Sequence, residues 1–498
     1  MPWDRQIFLR LGSPRKTTNI NMMKQISWRD PSGFVAKKHG RIFRAVSMDK
    51  VAQTQDLLAS PWYADGVAQG WFPASHWVSN QVDAVTDTGQ IRWLEHRAVT
   101  FPCYPHEITS LQLYDAGKLT LAVARAALAN GWVIKDASAW NILFEHGKPR
   151  FCDLLSFERI DDSGIWIAYA QFIRHFIIPL LLHKHAGMHT SALFLLHRDG
   201  VQPAQARRMM HGWRLCVQPA LESVTLPALF GKARPRHAGE KTAPARSPEL
   251  ARFLLGRTLD RLEKHLDALI PAATAVPTTW ENYQADRDHY DAPDVASKRA
   301  FVGAALARQQ IGTVLDLGCN AGEFSKIAAA AGKTVVAADF DHGALSRFYQ
   351  ELRGMALPVS PVLLDIGRPT PAVGWMNREV DSFMERARGQ FDCIMALGLV
   401  HHLLVSERAS LPMILEFFLW IDASYLLLEW IEPKDRRFVE IAGINTGLYT
   451  DMSLAGFEGI FSEHYDVEQK APLASGTRVL YLLKKKPGVA GTVDAKPL

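Results

Sequence analysis

The chain is poor in cysteine, with five in 498 residues, and those at 103, 152, 216, 319 and 393 never fall in C-x-x-C spacing. That excludes a disulfide scaffold and a thiolate zinc knuckle, and it fits a reducing, cytoplasmic compartment. The opening stretch MPWDRQIFLRLGSPRK has no apolar run of the kind a signal peptide needs. The strongest apolar segment, Ile165 to Leu182, is interrupted by Gln171, Arg174 and His175. It is too broken to span a bilayer and reads as a buried helix. Charge of one sign is also scarce: 56 basic against 51 acidic residues leave a formal +5. The basic runs Lys232–Arg236 and Lys484–Lys486 read as solvated segments, and without an RNA-binding module nucleic acid is not an expected partner. There is no internal repeat and no G-x-G-x-x-G.

What is present is most concentrated in VLDLGCNAGEF, Val314 to Phe324. Val314, Leu315 and Leu317 suit a parallel strand covered on both faces, and Gly318 and Gly322 allow a tight turn into a helix over about Glu323 to Ala331. The helix start presents amides to a ligand. The turn reads D-x-G-x-x-x-G, with Asn320, a residue tolerant of left-handed backbone, where a dinucleotide site needs glycine. Asp316 at the strand end would repel a pyrophosphate. It suits a ligand carrying an ammonium and a sulfonium, as S-adenosylmethionine does.

The rhythm continues. A strand over Lys333–Ala338 ends in Asp339, 23 residues beyond Asp316, where ribose hydroxyls are expected. A third, Val362–Leu364, ends in Asp365, a partner for an adenine amine. A fourth, Phe391–Leu397, runs through Gly398 to His401 and His402. A fifth, Tyr425–Trp430, precedes a helix over Leu454–Ser462 and strands near Tyr465–Gln469 and Arg478–Leu483. From roughly Trp280 to Lys486 the chain therefore resembles a class I S-adenosylmethionine-dependent methyltransferase. The resemblance implies a Rossmann-like α/β sheet and a cofactor site lined by Asp316, Gly318, Cys319, Asn320, Gly322, Asp339, Phe340, Asp365, Ile366, Ala396 and Leu397. His401 or His402, at the carboxyl edge of the sheet, is a candidate general base; the alternative is that one packs and the other lines the pocket. Glu429 and Trp430 leave the fifth strand toward the acceptor. Tyr283, Tyr290 and Lys298 precede the first strand, where such enzymes close over the cofactor, with Tyr290 the candidate substrate contact. A metal would want carboxylates at the ligand end of the fourth strand, but Asp392 starts that strand at its opposite end, so no metal is expected.

Hydrophobic content of 48% with 21% charge predicts that the N-terminal half also folds. The divisions expected from composition are an N-terminal extension (1–29), a domain over 30–230, a connector with a linking helix (231–279), the methyltransferase (280–486) and a tail (487–498). Gly231–Pro248 has the profile of a mobile linker, and Glu249–Ile270 that of an amphipathic helix. In the second domain, after a helix at about Lys118–Asn130, WVIKDASAWNILFEHGKPRFCDLLSF places Asp136, Asn141 and Asp153 around a hairpin that turns at His146-Gly147. That layout resembles a protein-kinase catalytic loop, which implies an α+β kinase-like domain and Mg-ATP as a possible second cofactor. The pattern is degenerate. Ile134 stands where kinases carry histidine, Leu154 follows Asp153 in place of glycine, no glycine-rich loop precedes, and Arg44 in the hairpin Gly33–Val46 is a poor substitute for the strand lysine. Without a phosphate cradle, positioning fails, and phosphoryl transfer is mostly positioning.

As a whole, DPSGF, KDASAWN, IAYAQFIRHF, DLGCNAGEF, LVHHL and RVLYLLKK resemble the bacterial NoeA-type nodulation methyltransferases. The resemblance implies methyl transfer, to oxygen or nitrogen, on a small-molecule or saccharide-like acceptor. The N-terminal domain is then a second catalyst that phosphorylates the product, or a non-catalytic module that recruits the acceptor or a partner. Oligomeric state is not encoded in any feature of the sequence.

Overall fold

The computed structural model describes residues 23–28, 30–78, 90–161, 163–230, 247–272 and 292–489. Two compact units are present, Met1–Ala52 with Ala74–Ala98, and Gln53–Pro73 with Val99–Leu498.

The first unit is a five-stranded antiparallel sheet of β1 (Lys24–Gln25), β2 (Gly33–Lys38), β3 (Arg41–Ser47), β4 (Ser75–Trp77) and β5 (Ile91–His96), in the order β1-β2-β3-β5-β4. His39 and Gly40, both with positive φ, close the β2–β3 hairpin with the twist its strands need. Alternation puts Ala36, Phe43, Ala45 and Trp93 into one core. Arg44 is buried, and its Nε donates to His96 Nε2 at 3.3 Å. His96 Nδ1 lies 2.7 Å from Ser75 Oγ. Burial, then the Arg44 charge, pushes the His96 pKa down to about 3.

In the second unit the helix Pro61–Ala68 is followed by the helix Ser110–Ala129, whose N-terminus is closed by a reciprocal Thr109–Gln112 capping box. The apolar residues on either side of KDASAWN form short strands: β6 (Trp132–Ile134) pairs with β9 (Phe157–Arg159), and β7 (Ile142–Glu145) with β8 (Lys148–Phe151). The expected buried helix runs from Tyr169 to Ala186, with a π-helical turn at Ile173–Ile177 just ahead of Pro179. The helix Pro248–Asp267 packs on Ser110–Ala129. A Cβ on Gly117 would come within 3.1 Å of Leu266, and Lys118–Glu263 and Arg125–Asp260, both 2.6 Å, flank that contact.

The C-terminal half is one seven-stranded sheet. Its strands are β10 (Thr313–Leu317), β11 (Thr334–Asp339), β12 (Val359–Leu363), β13 (Cys393–Ala396), β14 (Tyr425–Ile431), β15 (Tyr465–Pro472) and β16 (Arg478–Lys485), in the order β12-β11-β10-β13-β14-β16-β15. The first five are parallel and β16 is antiparallel to both neighbours. The chain winds outward from β10 to β12, then jumps back to β13, so the sheet reverses order between β10 and β13. β12 begins earlier than the sequence suggests because Pro361 lies inside it; an edge strand tolerates proline on its unpaired side.

That edge is covered from the N-terminal side of the same unit. Gln112 Nε2 donates to the Pro361 carbonyl at 3.2 Å, and the His146 amide donates to Ser360 Oγ at 3.0 Å. Tyr349 Oη and Arg353 donate to Asp115 at 2.7 and 2.9 Å, and the Ser110 amide donates to His342 Nε2 at 2.9 Å. Deeper in, the fully buried Glu107 accepts from Arg386 and from Thr370 Oγ1.

Candidate functional site

The carboxyl ends of β10, β11 and β13 converge at the reversal point, where ligands collect in open α/β sheets. Gly318 and Asn320 adopt left-handed φ of 74° and 48°. The Gly318 and Cys319 amides both donate to the Ala338 carbonyl, at 2.8 and 3.1 Å. Gly322 (φ 71°) starts the following helix so close to Phe348 that a Cβ there would fall 2.1 Å from the ring. The turn is thus fixed by backbone shape and by contact.

Two carboxylates face it. Asp316 is buried at the end of β10 and accepts a hydrogen bond from Ser325 Oγ. Burial, with the Asp339 charge adding to it, pushes its pKa up to about 7. Asp339 ends β11 and accepts from the Asn320 amide at 2.7 Å and from the Asp341 amide at 2.8 Å. Burial outweighs those two bonds and raises its pKa to about 6. Phe340 beside it is 61% exposed. Asp365 lies just beyond β12, accepting from the Gly367 amide and pairing with Arg368, each at 2.9 Å, with Ile366 in the same turn. Ala396 ends β13 and Leu397 follows it, before Gly398 at φ 64°.

On the other flank, His401 and His402 occupy the helix Val400–Val405 with ring centroids 4.2 Å apart. Both are held neutral, first by burial: His401 falls well below 6.5, and His402 to about 4. Among the described residues, neither ring nitrogen of His401 has a hydrogen-bond partner. Glu429 is fully buried and pairs with Lys298 at 2.6 Å. Its Oε2 lies 3.7 Å from where a Gly398 Cβ would stand. Trp430 is buried on the opposite face of β14, stacked on Phe457 at 4.8 Å. Tyr283 and Tyr290 lie outside the described residues.

Several residues of this neighbourhood carry no mark in the sequence pattern. Arg478 opens β16, is buried, and is gripped by Asp435 through Nε (2.8 Å) and Nη2 (3.0 Å). Its Nη1 lies 3.8 Å from Glu429. Phe324 receives the Lys298 ammonium over its ring at 4.9 Å. The available signal is a lone arginine heading an otherwise apolar strand, RVLYLL.

Asp136, Asn141 and Asp153 also come together. Asn141 Nδ2 donates to the Asp136 carbonyl at 3.3 Å and to Ser156 Oγ at 3.4 Å, and Ser156 Oγ donates to Asp153. Asp136 is raised by burial and then by the Asp153 charge.

The chain aligns with the nodulation protein NoeA of Rhizobium meliloti (strain 1021) at 25% identity over 462 residues, 92% of this chain and 95% of that protein. It is a homologue of NoeA. No protein-family model matches. Among solved structures, it is similar to the N-methyltransferase NodS from Bradyrhizobium japonicum WM9, with 15% identity and a TM-score of 0.29. That match covers 39% of this chain and 98% of NodS. It is also similar to magnesium protoporphyrin IX methyltransferase (ChlM) from Synechocystis PCC 6803 with bound SAH, at 15% identity and a TM-score of 0.29, covering 42% and 96%. By its own strand order and reversal point, the C-terminal half has a Rossmann-like α/β sheet. Among the described residues, no group of three or more His, Cys, Asp or Glu is arranged to hold a metal, and no helix is long and apolar enough to cross a membrane.

Proposed function

We propose that the protein is an S-adenosylmethionine-dependent methyltransferase acting on a small-molecule or saccharide-like acceptor in a bacterial biosynthetic pathway. The observation that carries this is the pair of buried carboxylates, Asp316 and Asp339, set on a turn without the middle glycine a pyrophosphate needs. Burial opposes their ionisation, so a ligand bringing cationic groups and hydroxyl donors fits them, and a polyanion does not. In this reading Asp316, Gly318, Cys319, Asn320 and Gly322 hold the methionine end and Asp339 binds the ribose. Phe340, Asp365, Ile366, Ala396 and Leu397 surround the adenine. The bound donor supplies an already activated methyl group. The chain must then align a nucleophile, exclude water and, for a protic acceptor, remove a proton. His401, a neutral imidazole whose ring nitrogens find no partner among the described residues, is the candidate to receive it, against the burial that holds it neutral. Calorimetry of the full chain with S-adenosylhomocysteine and with NAD tests the reading: micromolar binding of the first and none of the second is expected, and the converse refutes it.

For the N-terminal region, the reading supported best is a kinase-like module without phosphoryl transfer. Asp153 is tied down by Ser156 and by the Leu155 amide, and buried Arg44, bonded to His96, replaces a lysine. Incubation with ATP and magnesium, with Asp136→Asn as control, is expected to give no phosphorylated product above the control.

A further inference from the structure

We infer that donor binding is governed from the N-terminal part of the second unit: His342, anchored there by Ser110, is a positioning residue for Asp339, the carboxylate assigned to the ribose. The inference rests on the methyltransferase reading and adds a control to it. The link is a series of printed bonds between neighbours. Asp339 is held by two amides, from Asn320 at 2.7 Å and from Asp341 at 2.8 Å. Asp341 in turn caps the helix His342–Leu352, its Oδ1 accepting from the Gly343 and Ala344 amides at 2.8 and 2.9 Å. The first residue of that helix is His342, whose Nε2 lies 2.9 Å from the Ser110 amide and 3.1 Å from Ser110 Oγ. Ser110 is itself the buried first residue of the helix Ser110–Ala129, with its Oγ 3.2 Å from Thr190 Oγ1. Two helix starts therefore meet at one imidazole, and one of them carries the turn that aims Asp339.

That contact has a single chemical form. A backbone amide only donates, so His342 Nε2 keeps its lone pair and the ring proton sits on Nδ1, 3.5 Å from Ser346 Oγ. Burial, and then His189 and His183 with ring centroids 4.5 and 5.4 Å away, pushes the His342 pKa down to about 3. The accepting form therefore holds at neutral pH. Farther along, Asp115 accepts from Tyr349 at 2.7 Å and from Arg353 at 2.9 Å, which ties the same two helices a second time.

A displacement of the helix Ser110–Ala129 carries His342 and the Asp341 cap with it, and so turns the Asp339 carboxylate. Coupling of this kind is reciprocal: a donor that fixes Asp339 also steadies the start of the helix Ser110–Ala129. The N-terminal region thus sets donor affinity by a route that needs no phosphoryl transfer.

The test uses the full chain at pH 7.5, with calorimetry of S-adenosylhomocysteine and amide hydrogen exchange over residues 108–115 with and without it. Ser110→Pro deletes the donated N–H at the first helical position, where proline is tolerated and where Thr109, at ψ 163°, already has the backbone that a following proline requires. His342→Leu deletes the acceptor, and His342→Gln keeps one, since Oε1 reaches where Nε2 stood. Ser110→Pro and His342→Leu are each expected to weaken S-adenosylhomocysteine about fivefold or more, and the double variant no further than the weaker single. His342→Gln should stay within about twofold of the parent. Ligand should slow exchange over 108–115 in the parent and in His342→Gln, but not in His342→Leu. Should one substitution prevent folding, the other decides, and the exchange measurement on the parent needs neither. Parent-like affinity in Ser110→Pro or His342→Leu, loss in His342→Gln equal to that in His342→Leu, or exchange in the parent indifferent to ligand overturns the inference. Absence of S-adenosylhomocysteine binding to the parent instead refutes the cofactor reading on which it rests.

Discussion

Replacing Asp339 with asparagine separates a binding role from a structural one, because the two predict opposite outcomes. The Asp339 pKa rises from 3.8 to about 6 on folding, chiefly through burial. A carboxyl raised in this way binds its proton more tightly when folded. Its contribution to stability is therefore greatest below pH 4 and is lost as the pH climbs through about 6. A tenfold change in proton affinity is about 1.4 kcal/mol, so holding Asp339 ionised above pH 7 costs the folded protein about 3 kcal/mol. The Asp339→Asn variant would escape that cost. It would also present one acceptor oxygen to two amide donors, those of Asn320 and Asp341, and the amide left unpaired costs about 1–3 kcal/mol. The two effects oppose each other at pH 8, and since the escaped cost shrinks as Asp339 takes up its proton, the variant should lose stability relative to the parent between pH 8 and pH 5. Ligand affinity should not cancel. Hydrogen bonds from ribose hydroxyls to a charged carboxylate contribute about 1.5–3 kcal/mol, so S-adenosylhomocysteine should bind roughly 10- to 100-fold more weakly. Urea unfolding at pH 5 and pH 8, together with calorimetry at pH 8, measures both quantities. A dissociation constant within threefold of the parent's would refute the argument.

Other substitutions probe separate parts of the molecule. Gly322→Ala combines a left-handed backbone with a clash on Phe348 and should cost about 2–5 kcal/mol in urea unfolding; a stable variant would show that the turn relaxes freely. Asp435→Ala leaves Arg478 buried without its main partner and should destabilise by about 3–5 kcal/mol, read from the same transition. His401→Ala should leave S-adenosylhomocysteine affinity unchanged and, for a hydroxyl acceptor, lower turnover about 100-fold or more; equal loss of cofactor binding would place the residue elsewhere in the mechanism. Cleavage of the connector between Gly231 and Arg246 should yield two fragments that co-elute on gel filtration, because groups from 107 to 146 bond directly to β12 and its neighbours.

The parallel part of the sheet was legible because its strands are short apolar runs, each followed within a residue or two by a carboxylate or glycine. Buried parallel strands must look like this, and a turn that carries a ligand must look like that. β12 is longer than its apolar run suggests because Pro361 reads as a break, and nothing local says that a strand will be an edge. Asp316, Asp339 and the two histidines stand out by their position after strands. Arg478 and Asp435 do not, and the pairing of Glu429 with Lys298, each singled out separately, does not show either. A buried ion pair joins residues 43 positions apart in one case and 131 in the other, and its members look like surface charges until the fold brings them together. The contact of Glu107 with Arg386 is equally silent, since a capping-type acid before a helix is common. Asp136, Asn141 and Asp153 were visible as a spacing.

The bonds to β12 bear on how the protein can be handled and how it is made. The outermost parallel strand is sheathed by a segment the ribosome delivers long before the strand itself, so the first half must persist as a waiting template until the second emerges. A laboratory truncation that begins at the methyltransferase would unsheathe that strand and offer its bare amides and carbonyls to any passing chain. Such a fragment should precipitate on expression, and adding back the N-terminal half in trans should keep it in solution.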